Sequence, residues 1–434
     1  MDILNKPINS FSFEDISSFC KQGRIEGIQL DYKRDLSPKG LAKHFAAFSN
    51  TRGGVIIIGV EEDKKSSKPS SWKGIKNSGK LVDRIHQYAS SVDPIPSYRV
   101  HTTNEKNGNI FILVRIFEGD RTPYYVQNDS NLWVRTGNIR NPIDIASPDY
   151  TEILFRKKEK AELTRKNNIE KALKVYEAGI IRAEKERQSS IAQEKYEFEK
   201  KKEQGNSDLE FTPRTVISKV GTNVSMLTLV AQPFYPRRAL IKPLDLLNQI
   251  DSLKIPAGRG NKGFPSSNME PIPDGLFSFY WRCYDGMINC EQIYSNGLVF
   301  HSYDVLRPDN QGMKNIYLYD VFSSLIVFLK FLNNYYKQVK YQGSIVGSIS
   351  LNNASDMMIK NIKPTGWDVW SHKKSLLSEY EWDLELDTII INDELNLQEY
   401  YIEKIKEIYW SFGYKSENEE LFKAFLKENN WLIE

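Results

Sequence analysis

Cysteine is scarce in this 434-residue chain: there are three, Cys20, Cys283 and Cys290, and none forms a Cys-x-x-Cys pair. That argues against a disulfide framework and a structural zinc site, and it fits a reducing, cytoplasmic setting. Histidine is scarce too. His44, His86, His101, His301 and His372 include no pair spaced by four and no His-Glu-x-x-His, which disfavours zinc hydrolysis. A Ser-centred Gly-x-Ser-x-Gly is missing. The apolar stretch Val321–Leu332 is too short to span a bilayer and is broken by Ser323, Ser324 and Lys330, so no membrane partner is expected. The N-terminus lacks the basic and then apolar pattern of a signal peptide. A net charge of only +3 means that any nucleic-acid-binding surface must be local.

What is present is the composition of a soluble globular protein, 40% apolar and 26% charged, at a length that suggests two to three domains. The spacing predicts a helix over 11–22, capped by Ser12 with Glu14 and Asp15 in its first turn. It predicts a strand over Ile28–Lys33 and a helix opened by Ser37-Pro38 that carries Leu41, Phe45 and Phe48 on one face. That helix stops at Asn50-Thr51-Arg52-Gly53-Gly54, and Val55–Val60 follows as a buried β-branched strand. Leu81–Ser90 reads as a helix. Tyr98–Thr102, Ile110–Phe117 and Leu132–Arg135 read as strands, giving an α+β domain on a mostly antiparallel sheet.

From Thr151 to Gln204 there is no proline and one glycine, Gly179. Ile169, Leu173, Tyr176, Ile180 and Ala183 follow a 4-3-4-3 spacing, which predicts a long charged helix, either linker or short coiled coil. A third region, 207–434, is rich in aromatics and reads as α+β, with strands near 227–232, 343–351 and 384–391 and helices near 317–340 and 398–412. The expected division is therefore 1–150, 151–206 and 207–434. Gly74–Lys80 fits the opening of a phosphate loop, but Leu81 stands where Ser or Thr must ligate Mg²⁺, and a polar loop precedes it.

Ile25-Glu26-Gly27-Ile28-Gln29-Leu30-Asp31-Tyr32-Lys33 places two acids five residues apart on a segment ending in Lys. Ala47-Phe48-Ser49-Asn50-Thr51-Arg52-Gly53-Gly54 then leads into a strand ending Gly59-Val60-Glu61-Glu62-Asp63. Pro123-Tyr124-Tyr125 and Trp133-Val134-Arg135-Thr136-Gly137 follow. In order and spacing these four motifs resemble the Schlafen AlbA-like (AlbA_2) family over roughly residues 25–140. The resemblance implies a metal-dependent endoribonuclease of tRNA-like structured RNA. Glu26, Asp31 and one of Glu62 or Glu61 would be the catalytic and metal-binding carboxylates, holding Mg²⁺ or Mn²⁺. Lys33, Arg34, Lys39, Arg52, Arg135 and Arg140 would contact phosphates. Asp31 stands where the family usually has Glu, a side chain shorter by one methylene, which shifts a bound metal by about 1 Å.

Taken alone, the same residues admit plainer readings: Glu26 and Asp31 as surface carboxylates, Asn50-Thr51 as helix-end capping, Arg135 as a sheet-face ion pair. By analogy with chains that fuse such a domain to an unrelated partner, 207–434 is expected to be a sensor or regulator of an antiviral defence effector. A trigger ligand or protein and a homo-oligomeric assembly are part of that expectation. The competing expectation is a non-catalytic nucleic-acid-binding (DNA-binding) regulator. A third is an oligomer built on the long helix.

Overall fold

The structure, a computed structural model, describes residues 3–4, 8–36, 41–63, 65–119, 121–136, 143–203, 210–215, 219–222, 224–236, 239–256, 263–265, 268–284, 286–308, 314–341, 343–361, 372–387, 393–414 and 419–432. Contacts divide the chain into two compact units, one holding Met1–Leu163 and the other Thr164–Tyr341 with Ile345–Glu434. The expected start of the second helix, Ser37-Pro38, lies outside the described residues.

In the first unit, α1 (Phe13–Lys21) opens with a capping box: Ser12 accepts from the Asp15 backbone N–H, and the Asp15 carboxylate accepts from the Ser12 N–H. The central sheet contains β1 (Leu30–Lys33), β2 (Gly54–Ile58), β3 (Tyr98–Thr102) and β4 (Ile112–Ile116), in the order β1-β2-β4-β3. β1 runs parallel to β2, and the other two pairings are antiparallel. Alternation along the strands gives each face its own core. Leu30, Tyr32, Val55 and Ile57 pack with α1 on one side. Ile56 and Ile58 pack with α2 (Leu41–Asn50) and α3 (Leu81–Ser90) on the other. Asp31 and Lys33 alternate with Leu30 and Tyr32, so they project towards the α2 side. A fifth strand, β5 (Trp133–Arg135), pairs with Ile143–Ile145.

Between α2 and β2 the chain reverses within two glycines. Gly53 has φ +62°, and a Cβ on it would lie 2.6 Å from the Ile116 carbonyl oxygen. A Cβ on Gly54 would lie 2.5 Å from the Gln29 carbonyl oxygen. Neither position has room for a side chain.

The long helix α4 (Pro148–Glu203) is one continuous element, close to the expected 151–204. In the second unit a seven-stranded sheet is built from β6 (Met226–Pro233), β7 (Glu270–Ile272), β8 (Gly275–Trp281), β9 (Ile288–Tyr294), β10 (Val299–Asp304), β11 (Ser344–Asn352) and β12 (Glu379–Asp387). Its order is β7-β8-β9-β10-β6-β11-β12. One face packs on α5 (Pro243–Leu253), α6 (Leu318–Gln338), α7 (Glu394–Ser411) and α8 (Glu419–Glu428) through the largest core of the molecule. The other face is covered by α4, whose Ile169, Ala172 and Tyr176 meet Val230, Phe277 and Phe300, while Ile180 and Ala183 meet Met226 and Ile288. Four of the five seam residues therefore lie against a sheet of the same chain, and Leu173 is left 42% exposed. Along this stretch the apolar stripe serves a sheet rather than a second helix. β8 carries the run Phe277, Phe279, Tyr280 and Trp281. β9 and β10 are buried along their whole length because both faces are covered. Among the described residues no helix is long and apolar enough to cross a membrane.

Gly179 sits where α4 meets the sheet, and a Cβ there would lie 2.2 Å from Cδ2 of Phe279. Helix propensity alone makes Gly→Ala worth about 0.8–1 kcal/mol of added stability. Overpacking costs about 1–3 kcal/mol and should reverse the sign. Gly179→Ala is thus expected to lower the melting temperature in a circular-dichroism melt; a rise would show that the Phe279 ring moves aside at little cost.

Candidate active site

The first acid, Glu26, lies in the turn before β1. Its backbone N–H donates to the Ser67 carbonyl at 3.0 Å, and its carboxyl accepts from the backbone N–H of Tyr32. Asp31 is on β1, opposite Ile56 of β2. The third acid comes from the short strand Glu61–Glu62, brought alongside β1 by hydrogen bonds from the N–H groups of Gly59 and Val60 to the Lys33 carbonyl, at 2.7 and 3.1 Å. The pairing with Pro69–Ser71 slips between Glu61 and Glu62, and a bulge of this kind re-aims side chains. Glu62 shares a hydrogen bond with Glu26. Glu61 is exposed and faces Arg34 at 3.7 Å.

Buried carboxylates require partners. Asp31 is completely buried and is contacted by Lys33 Nζ and the Arg135 guanidinium, with His44 Nδ1 2.9 Å away. The Arg135 side chain is also fully buried. It donates to the Gly27 and Leu30 carbonyls and lies over the Phe48 ring, 4.5 Å from its centroid.

The remaining expected phosphate contacts are dispersed. Arg34 is 70% exposed and pairs with Asp35 at 2.8 Å. Arg52 is exposed at the glycine turn, its carbonyl accepting from Gln29 Nε2 at 3.1 Å. Lys39 and Arg140 lie outside the described residues.

Arg135 is held in place by the Asn50-Thr51 pair. Asn50 is buried; its Nδ2 donates to the carbonyls of Tyr124 (2.7 Å) and Trp133 (3.0 Å), and its Oδ1 accepts from the Tyr124 N–H at 2.7 Å. Thr51 Oγ1 donates to the Ala47 carbonyl (2.8 Å) and accepts from the Arg135 backbone N–H (2.9 Å). These two residues do cap the end of α2, and they also fasten it to β5. Three motifs separated by about a hundred residues thus form one hydrogen-bonded unit. Sequence reasoning did not find His44 as a neighbour of Asp31. The available signal was its position three residues after Leu41 and four before Phe48, on the core face of α2.

The electrostatics separate the two first acids. Burial, with Asp31 nearby and the hydrogen bond to Glu62, pushes Glu26 up to about 9. Burial opposes ionisation of Asp31 as well, but His44, Lys33 and Arg135 outweigh it and hold the carboxyl well below the usual range. Burial also keeps His44 below its ordinary value. At neutral pH the positive charge facing Asp31 therefore comes from Lys33 and Arg135. Neighbouring carboxyls driven in opposite directions are the usual arrangement for proton donation and acceptance.

A divalent ion does not fit these donors as they are arranged. Among the described residues no group of three or more His, Cys, Asp or Glu side chains has the geometry to hold a metal. Both Asp31 oxygens are engaged by protein cations, Oδ1 by Lys33 and Oδ2 by Arg135. Beside Asp31, Arg135 Nε is a buried donor with no acceptor.

Two measurements bear on this cluster. Asn50→Ala removes three hydrogen bonds to backbone groups of Tyr124 and Trp133, so it is expected to cost about 3 kcal/mol or more in chemical denaturation, at 1–3 kcal/mol per unmet group. A loss under about 0.5 kcal/mol, the level of an ordinary surface change, would show that water replaces the amide. Glu26 takes up a proton on folding because its pKa rises from an ordinary 4.5 to about 9. Its contribution to stability is complete below pH 4.5 and declines as pH rises towards 9. Glu26→Gln should flatten the stability profile across that window by about one proton's slope; an unchanged slope would place the proton elsewhere.

No curated protein matches the chain. Residues 26–144 match the family model described as Schlafen, AlbA_2, so the segment that carries all three acids and Arg135 is tied to that family and to nucleic-acid-related function.

Proposed function

We propose that the first unit is an endoribonuclease of tRNA-like, structured RNA. The observation that carries this reading is the meeting of Glu26, Asp31 and Glu62 beside Lys33, with Glu26 and Asp31 displaced in opposite directions. Cleaving a phosphodiester requires a proton to be delivered and charge on the phosphate to be offset. Glu26 holds a proton at neutral pH, and the Lys33 ammonium, whose side chain is 27% exposed, is the cation of the cluster that reaches solvent. Arg34 and Arg52 add exposed positive charge for the RNA backbone. In this reading the second unit senses a trigger and regulates a defence-type effector, a role that rests on the analogy with fused partners.

The test is incubation of the full chain with total tRNA, in Mg²⁺, in Mn²⁺ and in chelator. Wild type is expected to produce discrete fragments, and Glu26→Gln with Lys33→Ala to reduce cleavage by about 10²–10⁴-fold, the usual worth of a proton-transfer group. Cleavage lost in chelator would make the reaction depend on the divalent ion that the family resemblance implies. RNA left equally intact by wild type and variant, but bound with an affinity that falls steeply with salt, would favour the non-catalytic nucleic-acid-binding regulator instead.

A further inference from the structure

We infer that Arg135, rather than a divalent cation, is the resident counter-ion of Asp31, and that Asp31 in this chain is not a metal ligand. The inference rests on reading the acid cluster as the functional site. Three observations support it. First, Asp31 and Arg135 meet with both side chains at zero exposure, and Lys33 reaches the other Asp31 oxygen. A metal at Asp31 would have to share these oxygens with two protein cations in a space without solvent, adding positive charge to a carboxylate already offset.

Second, the pair is fixed from both ends. Arg135 is anchored by the Gly27 and Leu30 carbonyls, by the Phe48 ring and by its own backbone N–H on Thr51. Asp31 is fixed by the register of β1 on β2. Moving either partner away would leave the other charge buried and unmatched, which is far more costly than losing a surface pair. Third, the unmet atoms of the cluster include a donor on the guanidinium, Nε. Such a site calls for another acceptor, and a further cation would add to the positive charge already present.

The test is a Mn²⁺ titration of the full chain followed by electron paramagnetic resonance, with melting temperature read in parallel. Asp31→Asn, nearly isosteric, is expected to lower the melting temperature while leaving the Mn²⁺ isotherm superimposable on that of wild type. Arg135→Gln frees the carboxylate and is expected to gain Mn²⁺ binding that disappears in Asp31→Asn/Arg135→Gln. A wild-type Mn²⁺ site that Asp31→Asn weakens by roughly 10–100-fold, the scale seen on perturbing metal coordination, would overturn the inference. So would an Arg135→Gln protein that folds and gains no site. If Arg135→Gln does not fold, the Asp31→Asn isotherm in the wild-type background decides alone. Coincident isotherms with RNA intact in every buffer would remove the nuclease and leave this inference standing. An isotherm shifted by Asp31→Asn, together with Mn²⁺-dependent cleavage, would do the opposite.

Discussion

One buried ion pair organises the first unit. Asp31 belongs to β1, and Arg135 arrives 104 residues later on β5. Between them stands the end of α2, whose Asn50 and Thr51 hold the chain around Tyr124, Trp133 and Arg135. A charge pair without solvent is stable only if both members are held in register and their remaining hydrogen-bonding atoms are supplied. That requirement extends outward to the two-glycine turn, the parallel step of β1 on β2 and the strand that presents Arg135. The elevated proton affinity of Glu26 follows from the same desolvated setting, because a protonated carboxyl beside an ionised one relieves repulsion that water does not screen.

Much of this was legible in the sequence, for reasons that differ by element. β2 announced itself as a β-branched run after a glycine turn, and α3 and β3 were bounded by their periodicity. The acids were visible because their spacing, together with the later motifs, matched a known pattern. The partner of Asp31 was not visible. Nothing local to Trp133-Val134-Arg135 says whether the guanidinium faces solvent or a carboxylate on a distant strand. His44 had no neighbour in sequence to give it meaning. It acquires one only when α2 packs over β1.

The second unit shows a different limit. The spacing of Ile169, Tyr176, Ile180 and Ala183 correctly marks an apolar helical face, but a 3.5 to 3.6-residue period does not reveal what covers that face. A coiled-coil partner and a β-sheet leave the same trace. β9 and β10 lack alternation because they are covered on both sides, and the β-strand signal depends on one wet face. Where one side does stay wet the pattern is plain: in β12, Tyr380, Trp382, Leu384 and Leu386 turn inward between Glu379, Glu381, Asp383 and Glu385.

That α4 forms one wall of the second unit alters how fragments of this protein should be cut. A deletion series divided at the composition change near residue 206 assigns the helix to a spacer. It then expresses a β-sheet without its cover, with Val230, Phe277 and Phe300 bare on a continuous apolar face. Such a fragment would be recovered in inclusion bodies, and its silence in any assay would be entered as a lost activity when only a lost surface had been removed.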